Sequence, residues 1–315
     1  MAKRAVITGG TSFIGRYVTR ELSKTGWEVF ALVRPDSANK TAISESEHVH
    51  MLLCNLDETD QWTKTIGHAD VFLHFAWDGV GAKGRADVLI QKKNIERTLL
   101  CLKAAAALGV KRFLFAGSQA EYGKCSGVIR ETTPCSPVLE YGKGKLAVWR
   151  EAGKLAGQLG IEYIHMRIFS VYGEGDHPWT LVESCINTFV QGGDMELSDC
   201  TQKWNFLHVK DAARAICALC DTVLAESGSI VLNVAGTDTR VLRQFVEAIY
   251  TAAGKKGRVK YGARRGNTEK VIGIEPDISR LLSMIDWRPM ISFEEGVGEM
   301  VKRIESKPAD IGGVK

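Results

Sequence analysis

Short apolar runs alternate with longer amphipathic stretches through the first half of the chain. "RAVITG" from Arg4, "EVFALV" from Glu28, "ADVFLHFA" from Ala69, "KRFLFAGS" from Lys111 and "IEYIHMRIF" from Ile161 read as strands. Helical spacing fills the stretches between them, at 14–24, about 88–108 and about 141–159. The runs are apolar without strict alternation, as expected of strands buried on both faces of a parallel sheet covered by helices. A β-α-β series of this kind predicts an α/β chain with a doubly wound parallel sheet.

The rhythm breaks at Val171, and loops with short helices dominate to about Cys200 and again after Gly236. Between those pieces "SIVLNVAG" has the character of a last strand of the main sheet. The expected organisation is therefore a main sheet unit of 1–170 with 201–235. A smaller α/β lobe would be built from 171–200 and 236–315. The tail "SKPADIGGVK" reads as frayed.

Composition narrows the class. The chain has 315 residues, 45% of them hydrophobic and 25% charged, which is a soluble protein with a core. No apolar stretch approaches the roughly 20 residues needed to cross a bilayer, and the N-terminus does not read as a signal peptide. A net charge of +4, evenly spread, gives no argument for nucleic acid. The cysteines show no staple pattern, so a reducing, cytoplasmic setting is expected. Cys217 and Cys220 form C-x-x-C within a helical pattern, with no second Cys or His pair nearby. They read as packed thiols, and no metal is expected.

The first strand runs into "TGGTSFIGR". Gly9 allows the tight exit from the strand, and Gly15 lets the following helix pack closely on the sheet. The loop between them is Thr11, Ser12, Phe13 and Ile14, and its backbone N–H groups at the helix start can hold a pyrophosphate. Tight β-α turns use the same residues without a ligand, but the strand–loop–helix setting favours a dinucleotide. Ser12 narrows the approach by one side chain, although its hydroxyl can donate to a phosphate oxygen. The next strand ends in Val33-Arg34, where an NAD site usually places an acid on the ribose hydroxyls. A cation there attracts the 2′-phosphate of NADP. The bland alternative is a solvated arginine at a strand end. NADP is the expected cofactor, with NAD as the other possibility.

In "YGKGK", Tyr141 and Lys145 stand at i and i+4, on one face of a helix. An ammonium group near a phenol stabilises the phenolate, so the tyrosine can exchange a proton with a substrate oxygen. Ser118 follows the strand "RFLFAG" and can hydrogen-bond the same oxygen. The Tyr–Lys spacing alone would equally suit an ordinary helix surface.

Taken together, these motifs resemble the extended short-chain dehydrogenase/reductase family, in its branch of nucleotide-sugar epimerases, dehydratases and 4-keto reductases. The resemblance covers nearly the whole chain. The family's G-x-x-G-x-x-G falls on Gly9, Ser12 and Gly15. Its acidic adenine contact falls on Asn55-Leu56, and its H-x-A-A on His74 to Trp77, including Ala76. Its supporting helix asparagine falls on Asn94. "GSQAEYG" matches the segment carrying the catalytic Ser or Thr, and "RIFSVYGEG", "WNFLHVKDAARA" and "PDISRLLSMIDWRP" echo later landmarks. The resemblance implies a Rossmann sheet, catalytic Ser118, Tyr141 and Lys145, and a nucleotide-sugar substrate near Ser118, Gln119 and Ser170. It also implies a homodimer formed through the two long helices.

Departures sharpen the expectation. Family dehydratases carry Asp-Glu after the catalytic Ser or Thr, where this chain has Gln119-Ala120, which disfavours a 4,6-dehydratase. Glu121 is one position late, and a one-residue slip changes its direction. Ser170 and Trp204 stand where uridine-diphosphate-sugar epimerases often use Asn and Arg. Lys83, Arg85, Lys203 and Arg240 are then candidates for the diphosphate, each with an ordinary solvated charge as the alternative. An NADPH-dependent 4-keto reductase leads, ahead of an epimerase with retained cofactor. A non-catalytic NADPH-sensing regulator is the reading from another class, and the intact Ser–Tyr–Lys set argues against it.

Overall fold

The computed structural model describes residues 2–223, 228–264 and 273–306. Its first part runs β1 (Arg4–Thr8), α1 (Phe13–Lys24), β2 (Glu28–Val33), β3 (Val49–Leu53), α2 (Thr59–Ile66) and β4 (Val71–His74). Then follow α3 (Val88–Ala107), β5 (Arg112–Ser118), α4 (Glu140–Leu159), β6 (Glu162–Ile168) and β7 (Ser170–Tyr172). The rest comprises α5 (Leu181–Val190), β8 (Met195–Glu196), β9 (Lys203–His208), α6 (Val209–Asp221) and β10 (Ser229–Val234). It closes with β11 (Thr239–Val241), α7 (Leu242–Ala252), β12 (Val259–Lys260), α8 (Ser279–Met284) and α9 (Phe293–Ser306).

Seven strands form one sheet in the order β10-β6-β5-β4-β1-β2-β3, with every neighbour parallel. This is the doubly wound Rossmann-like arrangement. The central strands are apolar on both faces because helices cover both. Val18 and Leu22 of α1 share one core with Ala212 and Ile216 of α6. Trp62 of α2, Leu102 of α3 and Val148 of α4 fill the other. The chain leaves β1 towards β2 on one side and β4 pairs on the other, so a crevice opens at the carboxyl ends of β1 and β4.

A second sheet, β11-β9-β7, stands apart from the first, with β8 and β12 paired separately. Around it α5, α7 and α9 close a third core of Ile186, Phe189, Phe245, Phe293 and Val297. Here one expectation changes: β9 lies in the 201–235 piece but pairs with β7 and β11, while α6 and β10 join the main unit. The reason lies in its side chains. Phe206 packs on Phe245 and Phe293 at ring-centroid distances of 5.0 and 5.3 Å. Asn205 binds the carbonyls of Gly236 and Asp238, tying β9 to the segment that leaves β10. Cys217 and Cys220 are buried on α6, and burial pushes both thiols well up. The tail beyond Ser306 lies outside the described residues.

Candidate active site

A cleft of about 980 Å³ opens above the carboxyl ends of the main sheet and continues beneath the β7–β9 sheet. Gly9, Thr11, Ser12, Phe13 and Ile14 line it, while Gly15 packs under the loop. Gly9 has φ +67°, and a Cβ there would lie 2.7 Å from the Ala76 nitrogen at the end of β4. A Cβ on Gly15 would collide with the Gly9 carbonyl oxygen. Both positions therefore bring backbone to backbone, which leaves a cradle open to a phosphate at the start of α1. Ser12 caps α1, its Oγ accepting from Gly15 N at 3.3 Å, so the side chain has a structural duty besides any contact with a ligand.

Arg34 reaches the cleft from the end of β2 and is largely exposed. Its guanidinium donates to Asp78 Oδ1 at 3.2 Å, and Arg97 donates to the other oxygen of that carboxylate at 3.0 Å. Asn94 holds Asp78 in place, accepting from its N–H at 3.0 Å and donating to its carbonyl at 2.8 Å. Asn55 and Leu56 also line the cleft, and Asn55 donates to Glu58 at 3.0 Å. Ala76 lines it too, donating through its backbone to Thr8 Oγ1 at 3.3 Å.

The three residues matched to the family's catalytic set converge on the cleft floor. Lys145 is 3% exposed and donates to the Ala116 carbonyl at 2.7 Å. Its ammonium lies 3.7 Å from the centre of the Trp77 ring and 5.7 Å from that of Tyr141. Burial pulls its pKa well below the usual lysine range, opposed by the Glu121 carboxylate. Tyr141 sits edge-on to Trp77 at 6.3 Å, with the Arg85 guanidinium 4.2 Å above its ring. "YGKGK" suits this packing, since a Cβ on Gly142 would strike the Ala120 carbonyl oxygen. Ser118 ends β5, and its Oγ accepts from Ala120 N at 3.2 Å.

Glu121 shows how much a one-residue offset matters. It is fully buried beneath the site and accepts from Ser118 N at 2.8 Å, His165 Nε2 at 2.8 Å and Arg167 Nε at 2.9 Å. Those partners keep its carboxyl below the usual range against the opposing effect of burial. A carboxylate held this way supports Ser118 and does not face the cleft as an acid or base. Gln119 and Ala120 provide no titratable group in its place.

Ser170 and Gln119 meet on the far wall, Gln119 Nε2 donating to Ser170 Oγ at 3.4 Å and Trp204 Nε1 donating to the same oxygen at 3.1 Å. A neutral three-residue cluster thus occupies the corner where the resemblance noted in the sequence would place Asn and Arg. Some participants went unread in the sequence. Gln91 accepts from Trp77 Nε1 at 2.8 Å, and its place one helical turn before Asn94 was the available signal. Asp176 lines the cleft with a pKa pushed up to about 6 by burial, and nothing in its local sequence marks it.

The fold and this cleft define an α/β enzyme built around a dinucleotide. The chain belongs to the NAD dependent epimerase/dehydratase family, whose model matches residues 5–235. It is 24% identical to UDP-N-acetyl-alpha-D-glucosaminuronate decarboxylase of Bacillus cytotoxicus, over 96% of this chain and 98% of that protein. With dTDP-4-dehydro-6-deoxyglucose reductase of Escherichia coli it shares 23% identity, again over 96% and 98%. Among solved structures, UDP-glucuronic acid 4-epimerase of Bacillus cereus in complex with NAD superposes with a TM-score of 0.83 at 21% identity, covering 97% of this chain and 99% of that one. The chain is thus an NAD(P)-dependent enzyme of the nucleotide-sugar epimerase, dehydratase and reductase group. Among the described residues no helix is long and apolar enough to cross a membrane.

Proposed function

We propose that the chain is an NADPH-dependent reductase of a nucleotide-activated 4-keto, 6-deoxy sugar. The observation that carries this reading is the cleft floor: Ser118, Tyr141 and Lys145 line it together, while Glu121 is turned into the core and Gln119-Ala120 offer no acid–base pair. Such a floor suits exchange between carbonyl and alcohol but lacks the groups for removing water across a carbon–carbon bond.

The glycine cradle and the 980 Å³ cleft fit a dinucleotide. Gly9, Ser12 and the start of α1 would hold its pyrophosphate, Arg34 its 2′-phosphate, and Lys145 its nicotinamide ribose. NADPH held there would supply hydride chemistry for a carbonyl carbon placed beside Ser118 and Tyr141. Ser118 orients the carbonyl oxygen, and Tyr141 gives that oxygen the proton which completes the alcohol. Lys145 stabilises the phenolate left behind, and solvent restores the tyrosine proton. Arg34 favours reduction over epimerisation in this account, because cells keep the NADP pool reduced. Family likeness further suggests a cytoplasmic homodimer paired through α3 and α4.

The test is a screen of nucleotide 4-keto sugars with NADPH and NADH, followed at 340 nm. Stoichiometric NADPH oxidation supports the reductase. Conversion of a nucleotide sugar without net oxidation, by protein that retains cofactor on purification, makes it an epimerase instead.

A further inference from the structure

We propose that Arg85 is a substrate contact, holding an oxyanion of the nucleotide sugar beside Tyr141. The inference rests on the nucleotide-sugar reading above and extends it to the residue that meets the substrate's charge.

Among the described residues, five cationic side chains line the cleft: Arg16, Arg34, Arg85, Arg97 and Lys145. Arg16 reaches the Glu174 carbonyl, Arg34 and Arg97 share Asp78, and Lys145 donates to the Ala116 carbonyl. Arg85 alone of the five also lines a second cavity of about 100 Å³, which adjoins the cleft at Ser118 and Gln119. It therefore stands at the junction where a group reacting at Ser118 and Tyr141 continues away from the reacting atom. Of the other three cations considered for the substrate, Lys203 pairs with Glu275 and Arg240 with Asp238 and Glu294, while Lys83 lines neither cavity. On the far wall the Ser170–Trp204–Gln119 cluster is neutral. Arg85 and Gln119 both line the junction of the cleft with the second cavity, so Arg85 places positive charge at that junction.

The loop that carries Arg85 is anchored. Gln91 Nε2 donates to the Gly84 carbonyl at 2.8 Å, and Asp87 caps α3 just beyond, accepting from Leu89 N at 2.9 Å and Ile90 N at 3.0 Å. The guanidinium rests with its carbon 4.2 Å from the centre of the Tyr141 ring. Its donors lie in the guanidinium plane, so stacking by the face is compatible with a two-pronged hydrogen bond to phosphate or carboxylate from the edge. Such an anion is the diphosphate of the 6-deoxy sugar nucleotide proposed above or a carboxylate on the sugar, the second of which would exclude a 6-deoxy substrate while keeping a nucleotide sugar.

Calorimetric titration of the wild type, Arg85→Gln and Arg85→Lys distinguishes these. The probes are UDP, dTDP, CDP and GDP, together with UDP-glucose and UDP-glucuronate. The expected result is an affinity about tenfold or more weaker in Arg85→Gln, the scale of a lost charged hydrogen bond, with partial recovery in Arg85→Lys. A loss with every diphosphate assigns the contact to the diphosphate, and a loss confined to UDP-glucuronate assigns it to the sugar. Unchanged affinities in Arg85→Gln, where the wild type binds, overturn this proposal and leave the nucleotide-sugar reading standing. A wild type that binds none of the probes overturns both.

Discussion

The two walls of the cleft are built on different principles. The wall proposed to hold the cofactor comes from contiguous segments at the ends of parallel strands: the β1–α1 loop, the end of β2 and the end of β4. Its key positions answer to backbone geometry, since Gly9 and Gly15 sit where any Cβ would press on main chain. The wall proposed to face the substrate is assembled from side chains far apart in sequence, such as Gln119, Ser170 and Trp204 around one hydroxyl. The first arrangement tolerates little change and recognises a ligand common to many enzymes. The second can be rewritten one side chain at a time, which is how one fold serves different sugars.

The largest effect should come where the walls meet. Lys145→Ala removes the buried ammonium that faces both Trp77 and Tyr141, and should lower turnover by about 10²–10⁴ while also weakening cofactor binding. Ser118→Ala should reduce turnover and leave cofactor affinity unchanged. Steady-state kinetics beside fluorescence titration of NADPH checks this pair. Equal losses of cofactor binding in both variants would blur the division between the walls.

A smaller effect belongs to the cofactor wall alone. Arg34 shares Asp78 with Arg97, so part of its charge is already met within the protein. Its preference for NADPH over NADH should therefore be about 1.5 kcal/mol, the low end for a hydrogen bond to a charged group, or roughly tenfold in affinity. Arg34→Ala should erase that ratio. A wild type that binds both cofactors equally contradicts the assignment.

The smallest effect is one of stability. The Asp176 pKa is raised from 3.8 to about 6 by burial, so the folded chain binds this proton more tightly than the unfolded chain. Stability from this group is therefore present below about pH 4 and lost as the pH rises towards about 6. Asp176→Asn should remove that slope and stabilise the protein at pH 7 by on the order of 1 kcal/mol, measured by denaturant unfolding at several pH values.

Legibility in the sequence followed the same division. The strands of the main sheet were readable because burial on both faces makes them continuous apolar runs, and the loop because close backbone approach demands glycine. β3 escaped notice: as the edge strand, only Val49 of its five residues is fully buried, so "VHMLL" carries a mixed pattern. β9 went unread as a strand and its segment was assigned to the main unit, because its partners β7 and β11 are set by Asn205 and Phe206 contacts across long sequence separations. The inward turn of Glu121 followed from its offset after Ser118, but its partners His165 and Arg167 lie on a neighbouring strand and left no local mark. Asp176 owes its shifted pKa to burial, which no local motif encodes.

The central claim is that Tyr141 delivers the proton at the meeting point of the two walls. Turnover of Tyr141→Phe, measured together with its NADPH affinity, tests that claim directly. The account predicts unchanged NADPH binding, because the ring against Trp77 and Arg85 is kept, with turnover lower by about 10²–10⁴. Full turnover in a variant that still binds NADPH would contradict it, since the proton would then have to come from another group.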